Sequence, residues 1–185
     1  QAQALLRTAF GTVAREAGDL SVGVYDLKGR MLAQAVTGTP GHVNSMAAAV
    51  GHFLDQFPID VMKEGDVYTT NDPWKGTGHL FDFVVVTPAF LDGQLVALVA
   101  STCHLVDVGG RGFTADARSV YEEGIFVPHT RLFEGGRLNE PLMELIANNV
   151  REPIEAKGDL LALVSCNDTG CRRMIDMMRE FDMAS

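Results

Sequence analysis

The chain has 185 residues, and its 46% apolar and 21% charged residues are typical of a globular protein with a packed core. Its 24 acidic residues outnumber its 15 Lys and Arg, and the formal net charge of -9 would repel a nucleic acid backbone. Apolar stretches such as 83–86 and 95–100 are far shorter than the ~20 residues that span a bilayer. Neither nucleic acid nor membrane is an expected partner.

The cysteines indicate the redox compartment of the chain, and its first residue indicates that it belongs to a longer polypeptide. Three cysteines make no disulfide framework at this length, and Cys166 and Cys171 share a predicted helix, so reduced thiols in the cytoplasm are expected. The sequence begins at Gln1 without a leader pattern, and we expect it to start or stop inside a longer polypeptide. Residues 1–185 suffice for one core and are expected to form one domain, helical at its C-terminal end over about 140–182.

The first elements are a helix and a hairpin. Apolar residues recur at helical spacing over about 2–17, and Gly18 is a typical C-terminal stop. Extended patterns at 20–25 and 31–35 are separated by turn residues at 26–29, which predicts a β-hairpin.

A second helix follows the loop 38–41. Asn44 or Ser45 is expected to cap it, and Pro58 is expected to close it. Its apolar face consists of Met46, Val50, Phe53, Leu54 and Phe57. This helix should pack on the hairpin.

The middle of the chain predicts a second hairpin. A short strand at 66–70 leads into the polar loop 71–78, and strands at 82–87 and 94–101 follow on either side of a turn at 91–93. The Asp-Gly pair in this turn favours direct antiparallel pairing of the two strands.

The remaining elements complete an α+β fold. They are a loop over 105–120, strands near 125–127 and 130–133, a turn at 135–136, and helices over 140–149 and 153–181. The last helix has potential interruptions at Gly158 and Gly170. We therefore expect a mainly antiparallel sheet of hairpins with helices packed against it.

The second hairpin brings three potential metal ligands together. His79 and Asp82 lie at the start of one strand and His104 at the end of the next, and these two ends are neighbours in an antiparallel pair. A three-residue turn would place Asp82 opposite Thr102 and His104 opposite Leu80, whereas a shift by two would place Asp82 opposite His104. Two imidazoles and one carboxylate leave coordination positions open, as in catalytic metal sites.

Two further carboxylates are catalytic candidates. Asp72 precedes His79 and Asp107 follows His104, and either is placed to orient water or a ligand imidazole. An equally weighted alternative is that each only accepts hydrogen bonds from turn backbone groups.

Other reactive residues receive weaker interpretations. His42 precedes the second helix and is a candidate to approach the site from a loop, whereas His52 and His129 are interpreted as structural. Strand alternation turns Cys103 to the opposite face from His104, which indicates a buried structural thiol. The sequence has neither a Gly-x-Ser-x-Gly nor a phosphate-binding P-loop motif, so any ATP is expected to bind elsewhere.

Several motifs resemble those of the hydantoinase B family. Residues 71–82, Asn-Asp-Pro-Trp-Lys-Gly-Thr-Gly-His-Leu-Phe-Asp, are similar to its Asn-Asp-Pro-aromatic-x-Gly-x-x-His-x-x-Asp motif, and 104–110, 121–124 and 134–140 are similar to further signatures in the same order. Leu105 departs from the commoner pattern, which has a second histidine there.

The resemblance implies a place in a larger assembly. Family members are several times longer, so this chain resembles an N-terminal portion of a B subunit. A hydantoinase A-type partner would bind ATP and phosphorylate a small-molecule substrate, giving a hetero-oligomer. In the acetone carboxylase relatives manganese is held by residues that correspond to His79, Asp82 and His104, although such a set also accepts zinc or iron.

The leading hypothesis is a metal-binding subunit of an ATP-dependent hydrolase of cyclic amides such as hydantoins, oxoproline or lactams. The alternatives are a subunit of an ATP-dependent ketone carboxylase of the acetone or acetophenone type, and a structural subunit without catalytic function.

Overall fold

The structure, a computed structural model, describes residues 2–35, 39–112 and 114–182. Its helices are α1 (Ala2–Thr8), α2 (Pro40–Gln56), α3 (Val120–Glu123), α4 (Glu140–Ala147) and α5 (Pro153–Glu180), with a π-helical turn at Val13–Ala17 and a 3-10 turn at Ile59–Val61. Its strands are β1 (Leu20–Tyr25), β2 (Met31–Gln34), β3 (Val67–Thr70), β4 (Asp82–Leu91), β5 (Gln94–His104), β6 (Thr130–Glu134) and β7 (Arg137–Leu138).

All these strands form one seven-stranded sheet in the order β2-β1-β5-β4-β3-β6-β7. Every neighbouring pair is antiparallel. The sheet and its packed helices confirm the predicted α+β class. The two central strands, β4 and β5, carry both ends of the candidate metal site.

Helices cover both faces of the sheet. On one face Val84 and Val86 pack with Met46 and Phe53 of α2 in one apolar cluster. On the other face the alternate residues of the same strands, such as Phe83, pack with the apolar residues of α1, α4 and α5. Because both faces of β4 and β5 are covered, their side chains are held in fixed positions.

The register of the β4–β5 hairpin follows from a short turn and a bulge. Asp92 and Gly93 both have positive φ, 51° and 81°, as a two-residue type I′ turn requires. The strands leave this turn with Phe90 opposite Leu95, but the next pair is Ala89 opposite Ala97, so one extra β5 residue is bulged out. Beyond the bulge the pairing runs to Asp82 opposite His104, which is the second of the two predicted registers.

The prediction of one continuous helix over about 2–17 is wrong. α1 ends at Thr8, and the backbone N–H groups of Phe10 and Gly11 donate to the carboxylate of Asp159 in α5 instead of to helix carbonyls. The chain resumes as a π-helical turn and stops at Gly18, whose φ of 67° confirms the predicted C-terminal stop. A tertiary hydrogen bond from a distant helix therefore overrides the local helical pattern.

The predicted start of the second helix is also wrong. α2 begins at Pro40 with Thr39 at its N-cap, so Asn44 and Ser45 lie inside the helix rather than at its cap. Proline suits the first helical turn because its missing N–H would have no partner there. Of the predicted loop 38–41, residue 38 lies outside the described residues.

The predicted strand at 125–127 is wrong. The N–H of Val127 donates to the side-chain oxygen of Asn71, and its carbonyl accepts from the Asn71 N–H and the Thr70 hydroxyl. These bonds satisfy the backbone N–H and carbonyl of Val127 without pairing to a neighbouring strand. The loop prediction over 105–120 holds for the described residues up to Ser119, and the short α3 that begins at Val120 was not predicted.

Both C-terminal helices are present, and α5 runs without the interruptions considered at Gly158 and Gly170. A Cβ added at Gly158 would lie 2.5 Å from the Phe10 ring, so this glycine permits close packing of the N-terminal segment. The three cysteines are buried and form no disulfide with one another. In the part of the chain that the structure describes, no helix combines the length and apolarity needed to cross a membrane.

Substituting Asp159 tests the anchor between the N-terminal segment and α5. The Asp159→Ala variant leaves two backbone N–H groups without their acceptor, and we expect it to lower the free energy of unfolding by about 2–4 kcal/mol. The measurement is chemical denaturation monitored by circular dichroism. The control is Asp168→Ala on the same helix, which removes an exposed carboxylate paired with Arg172 and should cost less than about 0.5 kcal/mol. Equal losses in the two variants would contradict the anchor.

Candidate metal centre

A row of three polar side chains crosses the ends of three neighbouring strands. Asp82 begins β4 and faces His104, the last residue of β5. Asp19 precedes β1, and its carbonyl accepts a hydrogen bond from the His104 N–H at 3.2 Å, one step beyond the pair of Leu20 and Cys103. By strand alternation all three lie on the face that α2 covers.

His79 reaches this row from the loop before β4. The loop is fixed by Asn71, whose amide donates to the carbonyls of Leu80 and Ile125, and by Glu123, whose carboxylate accepts from the Leu80 N–H. Two of these bonds hold both backbone groups of Leu80, the residue next to His79. The imidazole therefore projects from an ordered segment.

Phe81 orients the two ligand imidazoles. Its ring is stacked on that of His104, with centroids 5.0 Å apart and an interplanar angle of 7°, and lies 6.0 Å from that of His79. Phe81 is 2% exposed. A fully packed aromatic ring in this position limits the rotation of His104.

The three predicted ligands converge on one point. Nε2 of His79 lies 3.2 Å from Oδ2 of Asp82, and Nδ1 of His104 lies 3.2 Å from Oδ1 of the same carboxylate. One ligand atom from each residue lies within 4.8 Å of the other two. Ligands bound at about 2.0–2.2 Å around a tetrahedral ion are about 3.3–3.6 Å apart, so the spacing suits a single divalent cation.

Hydrogen-bond geometry also fits an ion. Both oxygens of Asp82 are buried, yet neither has a well-aligned hydrogen-bond donor, although imidazole nitrogens stand at hydrogen-bonding distances. A buried carboxylate with imidazole nitrogens at these distances is a set of donor atoms that one cation can share. The residues present therefore fit a divalent metal ion.

The electrostatics favour an ionised Asp82. Burial alone would raise the pKa of this carboxyl, but the contacts with His104 and His42 outweigh burial and hold the pKa well below its usual range. A carboxylate ligand must be deprotonated to bind a cation. Asp82 is therefore held in its ionised form, as a carboxylate ligand has to be.

The site is closed on one side and open on the other. The side chains of Asp82 and His104 are 0% and 6% exposed, whereas that of His79 is 33% exposed. Water or a substrate therefore has access past His79.

His42 lies closer to the site than the sequence predicted, since it was expected in a loop. It belongs to the first turn of α2, and its Nε2 lies 2.9 Å from Oδ2 of Asp82. Burial tends to lower the pKa of His42, but the contacts with Asp82 and Asp19 raise it overall. The sequence indicated only a possible approach by this residue.

The predicted catalytic carboxylates, Asp72 and Asp107, lie in turns. The Asp72 carboxylate accepts from the backbone N–H groups of Trp74 and Lys75. The Asp107 carboxylate accepts from the Gly109 N–H at 2.9 Å and from the Arg151 guanidinium at 2.7 Å. These are the bonds of the structural alternative, and the catalytic role of either residue stays a prediction.

Asp107 is also held in its charged form. Burial would raise the pKa of this carboxyl, but the backbone hydrogen bonds and the charge of Arg151 lower it overall. A carboxylate with a lowered pKa is a weak base. Its evident function is to tie the segment after β5 to the segment before α5.

The structure also places the remaining histidines and Cys103. His129 packs on the Phe53 ring with centroids 4.4 Å apart, and His52 is half-exposed beside Asp55. Cys103 is buried on the face opposite His104, as strand alternation predicts. Leu105, where relatives often have histidine, is buried in the same apolar cluster.

Comparisons with known proteins agree with the motifs. Residues 1–185 match the family model described as Hydantoinase B/oxoprolinase. Caprolactamase subunit beta from Pseudomonas jessenii is 30% identical over 180 residues, which are 96% of this chain and 31% of that subunit. The chain thus spans about a third of the length of this relative.

Two solved structures have the same fold. The crystal structure of ATP-dependent caprolactamase from Pseudomonas jessenii gives a TM-score of 0.86 at 28% identity, and the match covers 97% of this chain and 31% of that one. The nucleotide-free structure of acetone carboxylase gives a TM-score of 0.85 at 20% identity and covers 97% and 24%, a likeness of fold alone. With a family model that matches its full length, the chain belongs to the hydantoinase B/oxoprolinase family.

Proposed function

We propose that this chain provides the metal-binding part of an ATP-dependent hydrolase of cyclic amides. The observation that carries the proposal is the buried carboxylate of Asp82 between His104, which is also buried, and His79, which is partly exposed to solvent. The names of its relatives, a caprolactamase subunit and the oxoprolinases of its family, support a cyclic amide as the substrate class.

The ligand set defines what the site contributes. A bound divalent ion, manganese or zinc with iron as a further candidate, supplies Lewis acidity that lowers the pKa of water and polarises a carbonyl or phosphoryl oxygen. Asp82 and His104 are buried on adjacent strands and provide the rigid side of the site. His79 stands at the opening, where an incoming substrate passes.

ATP is expected to act from another chain. The sequence contains no P-loop, and the relative in Pseudomonas jessenii is named as a beta subunit of an ATP-dependent enzyme. A hydantoinase A-type subunit that phosphorylates the amide oxygen would turn a poor electrophile into a reactive one. The site on this chain would then hold the activated substrate beside the ion, in a cytoplasmic hetero-oligomer.

Asp72 and Asp107 remain candidates for orienting water or substrate. Asp72 is the more easily released of the two, because its carboxylate accepts from turn N–H groups in a partly exposed loop and is not paired with an arginine among the described residues. Asp107 would have to exchange its bonds with Arg151 first.

Metal binding can be measured directly on the purified protein. We expect about one manganese or zinc ion per chain after washing, and an affinity loss of about 100-fold or more in Asp82→Asn and His104→Ala, because each removes a ligand. The measurement is competition with a chromophoric chelator. In wild type, metal at 100 times its Kd should also stabilise the fold by about 2.7 kcal/mol.

The matched control for metal binding is His52→Ala. This residue is a half-exposed histidine on α2 beside Asp55, and its loss should leave the affinity unchanged. A washed wild-type protein that holds no metal, and whose melting temperature does not respond to added metal, would favour the structural-subunit alternative.

The role of the site in turnover is tested in the assembled complex. We expect His79→Ala to reduce ring opening by about 100-fold or more while ATP-dependent phosphorylation continues, because the two steps occur on different chains. ATP cleavage and ring opening are assayed separately with hydantoin, 5-oxoproline and caprolactam.

Unchanged ring opening in His79→Ala after loss of metal would refute the proposed role. Incorporation of labelled bicarbonate into the product, in place of ring opening, would instead identify a carboxylase.

A further inference from the structure

The position of His42 is more specific than packing requires. Its side chain is 8% exposed and lies between two carboxylates, with Nε2 at 2.9 Å from Oδ2 of Asp82 and Nδ1 at 3.6 Å from Oδ1 of Asp19. A histidine that only fills a core needs one partner for each nitrogen and finds it most often in the backbone. Here both nitrogens face acidic side chains at the metal centre.

Asp19 is held from its other side as well. The hydroxyl of Thr39, the N-cap residue of α2, donates to Oδ1 of Asp19 at 2.6 Å. The N-terminal end of α2 thus contacts Asp19 through Thr39 and Asp82 through His42. One helix end restrains both carboxylates.

The support for His42 is rigid. α2 packs on the sheet through buried Met46, Val50 and Phe53, which follow His42 at helical spacing. This packing fixes the backbone of His42, and burial of its side chain limits the rotation of the imidazole. The carboxylate of Asp82, by contrast, has a freely rotating terminal bond unless a neighbour fixes it.

His42 lies outside the ligand set itself. Among the described residues, only His79, Asp82 and His104 bring one ligand atom each within 4.8 Å of one another. His42 reaches the site through Asp82, by contact with the oxygen that also faces His79. This is the position of a residue that orients a ligand, and loss of such a partner typically weakens metal binding by about 10–100-fold.

We propose that His42 is a positioning residue that fixes the Asp82 carboxylate for metal binding. The proposal rests on the metal site of the proposed function and adds a residue that is not itself a ligand. His42 holds Oδ2 of Asp82 in place. The carboxylate therefore keeps the same orientation with and without a bound ion.

The test is the metal affinity of His42 variants, measured by chelator competition on the protein alone. We expect His42→Ala to weaken affinity by about 10–100-fold. In His42→Gln the side-chain nitrogen reaches about as far as Nε2, so this variant should recover most of the affinity. In His42→Asn the nitrogen stands near the position of Nδ1, directed toward Asp19, so this variant should stay weak.

The controls separate positioning from folding. His52→Ala and His52→Gln, on the same helix and half-exposed, should bind metal as wild type does. The melting temperature of each metal-free variant reports on folding. If His42→Ala fails to fold, the comparison of the Gln and Asn variants carries the test.

The outcomes distinguish the two proposals. Wild-type protein that binds no metal removes the proposed function and this inference with it. Wild-type binding together with unchanged affinity in folded His42→Ala, or equal affinities in the Gln and Asn variants, overturns the positioning role alone.

Discussion

The burial of one negative charge dominates this end of the molecule. The side chain of Asp82 is fully buried at the first position of a central strand, where an unpaired carboxylate would be very costly. Three imidazoles surround it, from the loop before β4, the end of β5 and the first turn of α2. Because Asp19 adds a second carboxylate nearby, a divalent cation is the natural complement of the cluster.

The hairpin register makes this arrangement possible. A two-residue turn alone would set Asp82 opposite Cys103 and turn His104 to the other face of the sheet. The single bulged residue near Val96 shifts the pairing by one and brings His104 to the face of Asp82. A local irregularity about 25 Å along the strands from the site, at a rise of about 3.3 Å per residue, therefore determines which side chains can meet.

The sequence predicted the part of the site that depends on neighbouring segments. His79, Asp82 and His104 belong to one hairpin, and consecutive strands pair often enough to be inferred from their turn. Asp19 was missed because its position follows from the pairing of β1 with β5, which no local pattern reveals. His42 was underestimated because a cap was expected at residues 44 or 45, which left it in a loop.

The central claim concerns a single cation, and anomalous scattering from crystals grown with manganese tests it most directly. We expect one anomalous peak about 2.0–2.3 Å from a nitrogen of His79, a nitrogen of His104 and an oxygen of Asp82. The account would be contradicted by crystals in which manganese binds only elsewhere and these three side chains keep their direct contacts with one another.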